Sequence, residues 1–248
     1  MSSSLSESLA LLEGVEGWLT DGQAALLHAE AARCAPGDRI VEIGSFRGRS
    51  TIVLASAAAD GVDVVAIDPH AGTDRGPHEF SGYEEEASAD NVAFNANLER
   101  AGVRDRVRHV RRFSDDALDE VADPITVLYI DGAHRYAPAR SDIHRWGDRV
   151  APGGSLLIHD SFSSVGVTLA IFRELLLGGD FRYVGRSRSL VRYRRDLTPS
   201  PGARALNALR QLAQVPWFVK NLVVKVLVTT KISRALRPVL RRDLEWPY

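Results

Sequence analysis

The feature that most constrains this chain is an acidic residue near the end of an apolar strand, followed by a glycine-punctuated turn into a helix. Residues 41 to 50 read Val-Glu-Ile-Gly-Ser-Phe-Arg-Gly-Arg-Ser. A strand from Ile40 to Ile43 delivers Glu42 to the carboxyl end of a parallel sheet, where open α/β folds seat their ligands. Gly44 and Gly48 read as positions where backbone and ligand come close. The spacing does not suit a dinucleotide, because the G-x-G-x-x-G fingerprint needs a second glycine where this chain has Phe46. Glu42 would also repel a pyrophosphate. A ligand with a positive charge, such as an amino group or a sulfonium, fits better. The plainer reading is a tight strand-to-helix turn of any α/β protein, so the rest of the chain has to decide.

Helix and strand signals alternate as a doubly wound sheet requires. Strands are expected over residues 39–43, 63–67, 107–110, 126–130, 155–158, 182–184 and 189–193. Helices are expected over 5–12, 21–33, 50–59, 91–101, 115–121, 139–150 and 167–177. The expected fold class is α/β, a Rossmann-like, mostly parallel seven-stranded sheet with helices on both faces. Residues 1–35 supply N-terminal helices, 36–198 the sheet domain, and 199–248 a basic helical extension entered through Pro199-Ser200-Pro201-Gly202.

The run from Glu42 to Ser50 resembles the first motif of class I S-adenosylmethionine-dependent methyltransferases, in the E-x-G-x-x-x-G-x-S form of the catechol and caffeoyl-CoA O-methyltransferases. The resemblance implies that Glu42, Gly44, Ser45, Gly48 and Ser50 bind the cofactor. It also gives Asp68, one residue past the second strand, the ribose hydroxyls, since a carboxylate offers two acceptor oxygens. Capping of a local loop is the alternative role for Asp68. Phe113-Ser114-Asp115-Asp116 matches the family's adenine-contacting turn, although Ser114 and Asp115 are equally good helix caps.

Two further strands, ending at Asp131 and at His159-Asp160, carry carboxylates at their carboxyl ends. If these strands are neighbours, Asp131 and Asp160 converge. Two hard oxygen ligands suit Mg²⁺, which keeps several waters or substrate oxygens. The pattern is most similar to the metal-dependent macrocin and sugar O-methyltransferase group, over roughly residues 36 to 195. In that group the Asp-Gly-x-His run supplies a metal-ligating Asp and a general-base His, which implies those roles for Asp131 and His134. The next strand usually ends in two more ligands; here that pair is His159-Asp160. Imidazole suits Mn²⁺, Fe²⁺ or Zn²⁺ better than Mg²⁺. Three readings stay open: His159 ligates a softer metal, it points away while Asp131 and Asp160 hold Mg²⁺, or the metal is lost and His159 helps move a proton. The second is preferred. The implied reaction is transfer of a methyl group from a sulfonium to a hydroxyl of a sugar, glycolipid or other natural product. A non-catalytic binder of the same cofactor, or a fold-mate catalysing another reaction such as hydroxylation, remains the alternative.

Net charge near zero conceals a polar split. Residues 186–248 hold 14 Lys+Arg against 3 Asp+Glu, and the remainder 17 against 29. The basic end could meet an anionic membrane peripherally through 203–242, with Trp217 and Phe218 at the interface, which would favour a lipid-linked sugar substrate. Lys220 and Lys225 interrupt the apolar run, so spanning is not expected. A homo-oligomer contact is the competing use. Nucleic acid is not expected, since an acidic catalytic half would repel it. Cys34 is the only cysteine, so no intrachain disulfide or Cys-based zinc site can form. The polar first residues show no secretory signal. A cytoplasmic protein, peripheral at the inner membrane face, is the expected setting. The stretch 71–89 reads as a lid, with Asp74, His78, Glu79 and Tyr83 as candidate sugar contacts.

Overall fold

The computed structural model describes residues 2–73, 81–176 and 179–230. Its strands are β1 (Arg39–Ile43), β2 (Asp63–Ile67), β3 (Val107–Val110), β4 (Ile125–Ile130), β5 (Val150–Ile158), β6 (Phe181–Ser187) and β7 (Leu190–Arg195). They form one sheet in the order β3-β2-β1-β4-β5-β7-β6. The first five run parallel, and β7 is antiparallel to both of its neighbours. The helices are α1 (Leu5–Ala10), α2 (Asp21–Ala31), α3 (Arg49–Ala57), α4 (Glu84–Arg100), α5 (Tyr136–Gly147), α6 (Val165–Ile171), α7 (Pro201–Leu212) and α8 (Val215–Thr229).

Side-chain alternation along the central strands builds two cores. Val41 and Ile43, Leu128 and Ile130, and Leu156 and Ile158 face the layer of α5 and α6, where Ile143, Trp146 and Ile171 are buried. Ile40, Val127, Tyr129 and Leu157 face the opposite layer, with Leu27, Ile52, Leu54, Phe94 and Leu98. The expected doubly wound α/β sheet is therefore present, closed at one edge by the β6–β7 hairpin.

The elements depart from expectation where turn chemistry prevails. Residues 115–121 form two short 3₁₀ turns, Ser114–Asp116 and Leu118–Glu120. Three aspartates within this stretch disfavour a regular helix. Helix α4 starts at Glu84, seven residues earlier than expected, with Glu84, Glu85 and Glu86 at its positive end. That leaves less of the 71–89 stretch irregular. Asp74, His78 and Glu79 lie outside the described residues, as does the extension from residue 231.

The basic extension packs on the sheet through polar residues. Asn207 of α7 donates to the Phe181 carbonyl at 2.9 Å and accepts from Tyr183 N–H at 2.7 Å. Gln211 contacts Tyr193 Oη at 3.1 Å and donates to the Leu175 carbonyl at 3.3 Å. On α8, Asn221 donates to the Phe162 carbonyl at 2.8 Å. Trp217 and Phe218 rest against the core, and Arg186 stacks over Trp217 at 4.1 Å.

Candidate active site

The sheet order reverses between β2-β1 and β4-β5, and the crevice at such a switch point is where this architecture binds ligands. Backbone bonds continue past the strand ends and set their relative height. Asp131 N–H donates to the Ile43 carbonyl at 2.8 Å, His159 N–H to Ile130 at 2.9 Å, and Gly44 N–H to Ile67 at 2.9 Å. As a result Gly44, Asp68, Asp131, His159 and Asp160 all border one cavity of about 1040 Å³. That volume accommodates a nucleoside cofactor together with an acceptor.

The glycine turn works differently from its sequence reading. At Gly44, φ is +87°, and an added Cβ would lie 2.3 Å from the Asp131 carbonyl oxygen. The glycine lets two strand ends meet. At Gly48, φ is +85° and an added Cβ would strike Leu98 of α4 at 2.6 Å; the residue does not border the cavity. Glu42 does not border it either. Alternation along β1 points Glu42 into the α3 layer, where it is fully buried and accepts short hydrogen bonds from Ser50 and Thr51. Burial pushes its carboxyl up to about 8, against the pull of those two bonds. Glu42, expected to meet a cationic ligand, lies behind the cavity wall, where it anchors the first turn of α3.

Ser45 and Ser50 do border the cavity, and the Ser45 hydroxyl is buried with no hydrogen-bond partner among the described residues. Asp68 borders it too. Its carboxylate accepts from Phe46 N–H at 2.9 Å and His70 N–H at 2.8 Å, so it fixes the loop and retains acceptor capacity on both oxygens. Ser114 donates to Asp142, and Asp115 accepts from Ser141 at 2.6 Å and Arg145 at 2.7 Å. All of these border the cavity except Ser141 and Arg145, which lie behind Asp115.

At the other end of the crevice, one donor atom each from Asp131, His134 and Asp160 lies within 4.8 Å of the others. His134 Nε2 is 2.7 Å from Asp160 Oδ2. Tyr129 donates to Asp131 Oδ2 at 2.7 Å. Burial opposes charge on His134, but its bond to Asp160 prevails and raises its pKa. Burial likewise pushes Asp160 upward, and the bonds from His134 and His159 outweigh it, holding the carboxyl well below its ordinary range. Asp160 has φ +53°, a left-handed conformation that turns its side chain back toward His134.

His159 does not join this donor cluster; the nitrogen comes from His134 instead. His159 is buried, with Nδ1 at 3.1 Å from Asp131 Oδ1 and 3.5 Å from Asp160 Oδ2, and Nε2 at 3.1 Å from Gln23 Nε2. The Gln23 Oε1 accepts from Thr20 N–H at 2.9 Å, so its NH₂ group must face His159. Burial disfavours charge on His159, while Asp131 draws its pKa up to about 10. Full protonation would set an Nε2–H against that NH₂ group. Gln23 therefore favours a ring whose Nε2 accepts, with Nδ1 lying toward the carboxylates but without a hydrogen bond of good geometry among the described residues. His159 lies behind Asp131 and Asp160, on the side of α2.

Sequence reasoning missed the N-terminal wall and Asp142. Arg49 donates to the carbonyls of Leu12, Val15 and Leu19, at 3.1, 2.6 and 3.2 Å. This holds Glu16–Leu19 over the cavity, with Trp18 packed on Phe46 at 5.3 Å. A tryptophan in a turn between two helices was the available signal. Asp142 is buried beside Ser114, and burial pushes its carboxyl up to about 7. From the far end, α8 contributes Leu222, Lys225 and Val226 to the wall. Among the described residues, eight carboxylates border the cavity against three Lys or Arg side chains, a balance that favours a cationic ligand.

Residues 41–161 match a family described as a methyltransferase domain. The uncharacterised protein y4gI of Sinorhizobium fredii is 29% identical over 150 residues, 58% of this chain and 15% of that protein. The uncharacterised protein R132 of Acanthamoeba polyphaga mimivirus is 30% identical over 125 residues, 48% of this chain and 50% of that protein. The chain thus spans half or less of the curated relatives it matches. Among solved structures, the O-methyltransferase NovP aligns with TM-score 0.54 and 21% identity, over 71% of this chain and 80% of that one. The O-methyltransferase TomG from Streptomyces achromogenes, solved with S-adenosylmethionine, aligns with TM-score 0.50 and 19% identity, over 78% and 88%. Residues 41–161 thus match the methyltransferase-domain family, and the whole sheet shares its fold with solved O-methyltransferases.

Proposed function

We propose that this protein methylates a hydroxyl of a sugar, glycolipid or other natural product, using S-adenosylmethionine and a divalent cation. The observation that carries the reading is the His134–Asp160 pair, 2.7 Å apart beside Asp131, at the switch-point end of the cavity. A protein that only bound the cofactor would need no such pair.

The cofactor end is supported by the orphaned Ser45 hydroxyl, by Asp68 with acceptor capacity for a ribose, and by the acidic lining, which suits a sulfonium. When bound, S-adenosylmethionine supplies an electrophilic methyl group. A hydroxyl is a weak nucleophile at neutral pH and must lose its proton as it attacks. His134 Nδ1 accepts that proton, while Nε2–H, donated to Asp160, orients the imidazole and the carboxylate stabilises the imidazolium that forms. Asp131, held by Tyr129 and with His159 Nδ1 at 3.1 Å, borders the same space and positions the acceptor. Two carboxylates with a nitrogen nearby form a donor set that fits Mg²⁺ through its oxygens and Mn²⁺ through all three groups. Bound at Asp131 and Asp160, such an ion would supply Lewis-acid polarisation of the acceptor oxygen. Holding oxygen and methyl in line supplies much of the remaining acceleration.

The test is calorimetric titration with S-adenosylmethionine and S-adenosylhomocysteine, in EDTA and with added Mg²⁺ or Mn²⁺. Turnover of hydroxylated acceptors by wild type and His134→Ala follows. The expected outcome is micromolar cofactor binding by both proteins and at least a hundredfold loss of turnover in the variant, on the order of a lost general base. Absence of cofactor binding would sink the reading. Turnover that survives EDTA would leave the His134–Asp160 pair to act without a metal.

A further inference from the structure

We infer that the outer face of the α7–α8 hairpin docks on an anionic lipid surface, so that the mouth of the active-site cavity opens at the bilayer. The argument starts from an inverted pattern. In an ordinary surface helix apolar residues face the core. Here the only fully buried residues of the two helices are Asn207, Gln211 and Asn221, each bonded to groups of the fold. Trp217 and Phe218 rest against the core, but a row of aliphatic side chains points outward: Leu209 is 64% exposed, Val219 and Val223 are each 52% exposed, and Val226 is 58% exposed. Leu206 and Leu212 add to the same exposed set. Water gives no reason for this arrangement, whereas an apolar neighbour does.

Charge selects the neighbour. Residues 201–230 contain Arg204, Arg210, Lys220 and Lys225 and no Asp or Glu. A second copy seated on this face would bring Arg204, Arg210 and Lys220 together with those of its partner, with no Asp or Glu from residues 201–230 between them. A surface of anionic headgroups over acyl chains complements both the cations and the valines. Trp217, with Arg186 at 4.1 Å and Lys220 at 4.5 Å from its ring, lies half-buried beneath this face. By length and composition Pro201–Thr229 could cross a bilayer. The three amides fasten it to the sheet and to the loop after β5, so it lies along the surface instead.

The face is continuous with the site. Val226, Thr229 and Thr230 are exposed residues that also border the cavity, as does Val165, 50% exposed at the start of α6. Lys225, on the same turn as Val226, borders the cavity within the field of Asp160. An acceptor held in the lipid would thus enter past α8 toward His134. This last step rests on the methyltransferase reading; the docking itself does not.

The test is sedimentation of the full chain with phosphatidylcholine vesicles, with and without phosphatidylglycerol, at low and high salt. Wild type is compared with a Leu209→Glu, Val219→Glu, Val223→Glu triple variant, none of whose sites borders the cavity. Circular dichroism and S-adenosylhomocysteine titration serve as controls. Wild type should sediment with anionic vesicles and less so at high salt, and the variant should lose at least about tenfold in partitioning while binding the cofactor product normally. Failure of wild type to bind anionic vesicles, or equal binding by the variant, overturns the proposal. A concentration-dependent dimer that the variant abolishes also overturns it, assigning the face to a second copy. Vesicle binding without any cofactor binding would overturn the methyltransferase reading alone.

Discussion

His134 shows how much a single residue's behaviour depends on its immediate partners. Its bond to Asp160 raises its pKa above the ordinary 6.5 in spite of burial. A raised value means that the protonated form stabilises the fold below the ordinary pKa, and this contribution fades as pH rises through the raised one. Proton acceptance by the free base therefore improves toward alkaline pH. In EDTA-treated protein, the NMR titration of His134 should have its midpoint above 6.5, and Asp160→Asn should move it downward. A midpoint at or below 6.5 in wild type would contradict the pairing. Gly44 offers a second residue-scale prediction. A methyl group there meets the Asp131 carbonyl at 2.3 Å and adds the strain of a left-handed backbone. Gly44→Ala should destabilise the protein by more than 1 kcal/mol in urea unfolding, on the order of the left-handed penalty alone, and disturb Asp131. An unchanged midpoint would mean that the strand ends are looser than they look.

At the scale of elements, hydrophobic alternation and turn residues made the strands legible, since both depend on local spacing. Asp68, Asp131 and Asp160 were legible for the same reason: each follows a strand whose end could be read. The faces that Glu42 and His159 occupy were not, because each depends on which helix packs there. Strand β1 turns Glu42 into α3, and α2 presents Gln23 to His159. The cavity wall supplied by Glu16–Leu19 and by α8 comes from segments far apart in sequence, and no local pattern reports such contacts. The arginine-rich hairpin makes the same point. By sequence alone β6–β7 is a row of cations with no visible partner. In the fold, Arg192 and Arg194 pair with Glu30 of α2 at 2.6 and 3.1 Å, and Arg195 donates to backbone carbonyls of residues 148 and 150. Glu30 is nearly fully buried, and burial alone would raise its pKa, yet Ser155, Arg192 and Arg194 hold it down. Its contribution is present above the ordinary carboxylate pKa and is lost as pH falls through the lowered value. Glu30→Ala leaves two arginines facing an apolar layer and should cost about 3 kcal/mol in urea unfolding at neutral pH. The difference from wild type should narrow in acid. A cost below 1 kcal/mol would show that solvent already screens the group.

For the whole molecule, the question is whether α7 and α8 form an appendage or part of the folding unit. Proline and glycine at 199–202 suggested a boundary near residue 198, yet hydrogen bonds cross it at several points. Asn207 satisfies both Tyr183 N–H and the Phe181 carbonyl, and Gln211 satisfies the Leu175 carbonyl and meets Tyr193 Oη. Without them these buried groups of the sheet edge and of α6's continuation would be unpaired, at about 1–3 kcal/mol each. A cost of that size couples the hairpin to the sheet, so heat or urea should unfold the chain in one transition reported alike by fluorescence and circular dichroism. Asn207→Ala with Gln211→Ala should lower the midpoint of that transition. If the coupling is this strong, the double variant should also lose acceptor turnover, because Leu222, Lys225 and Val226 border the cavity only while α8 is seated. Cofactor binding, which the proposed function places at Ser45 and Asp68, should persist under native conditions. Two separate transitions in wild type, or a double variant with unchanged midpoint and turnover, would show that the extension is carried by the fold without being part of it.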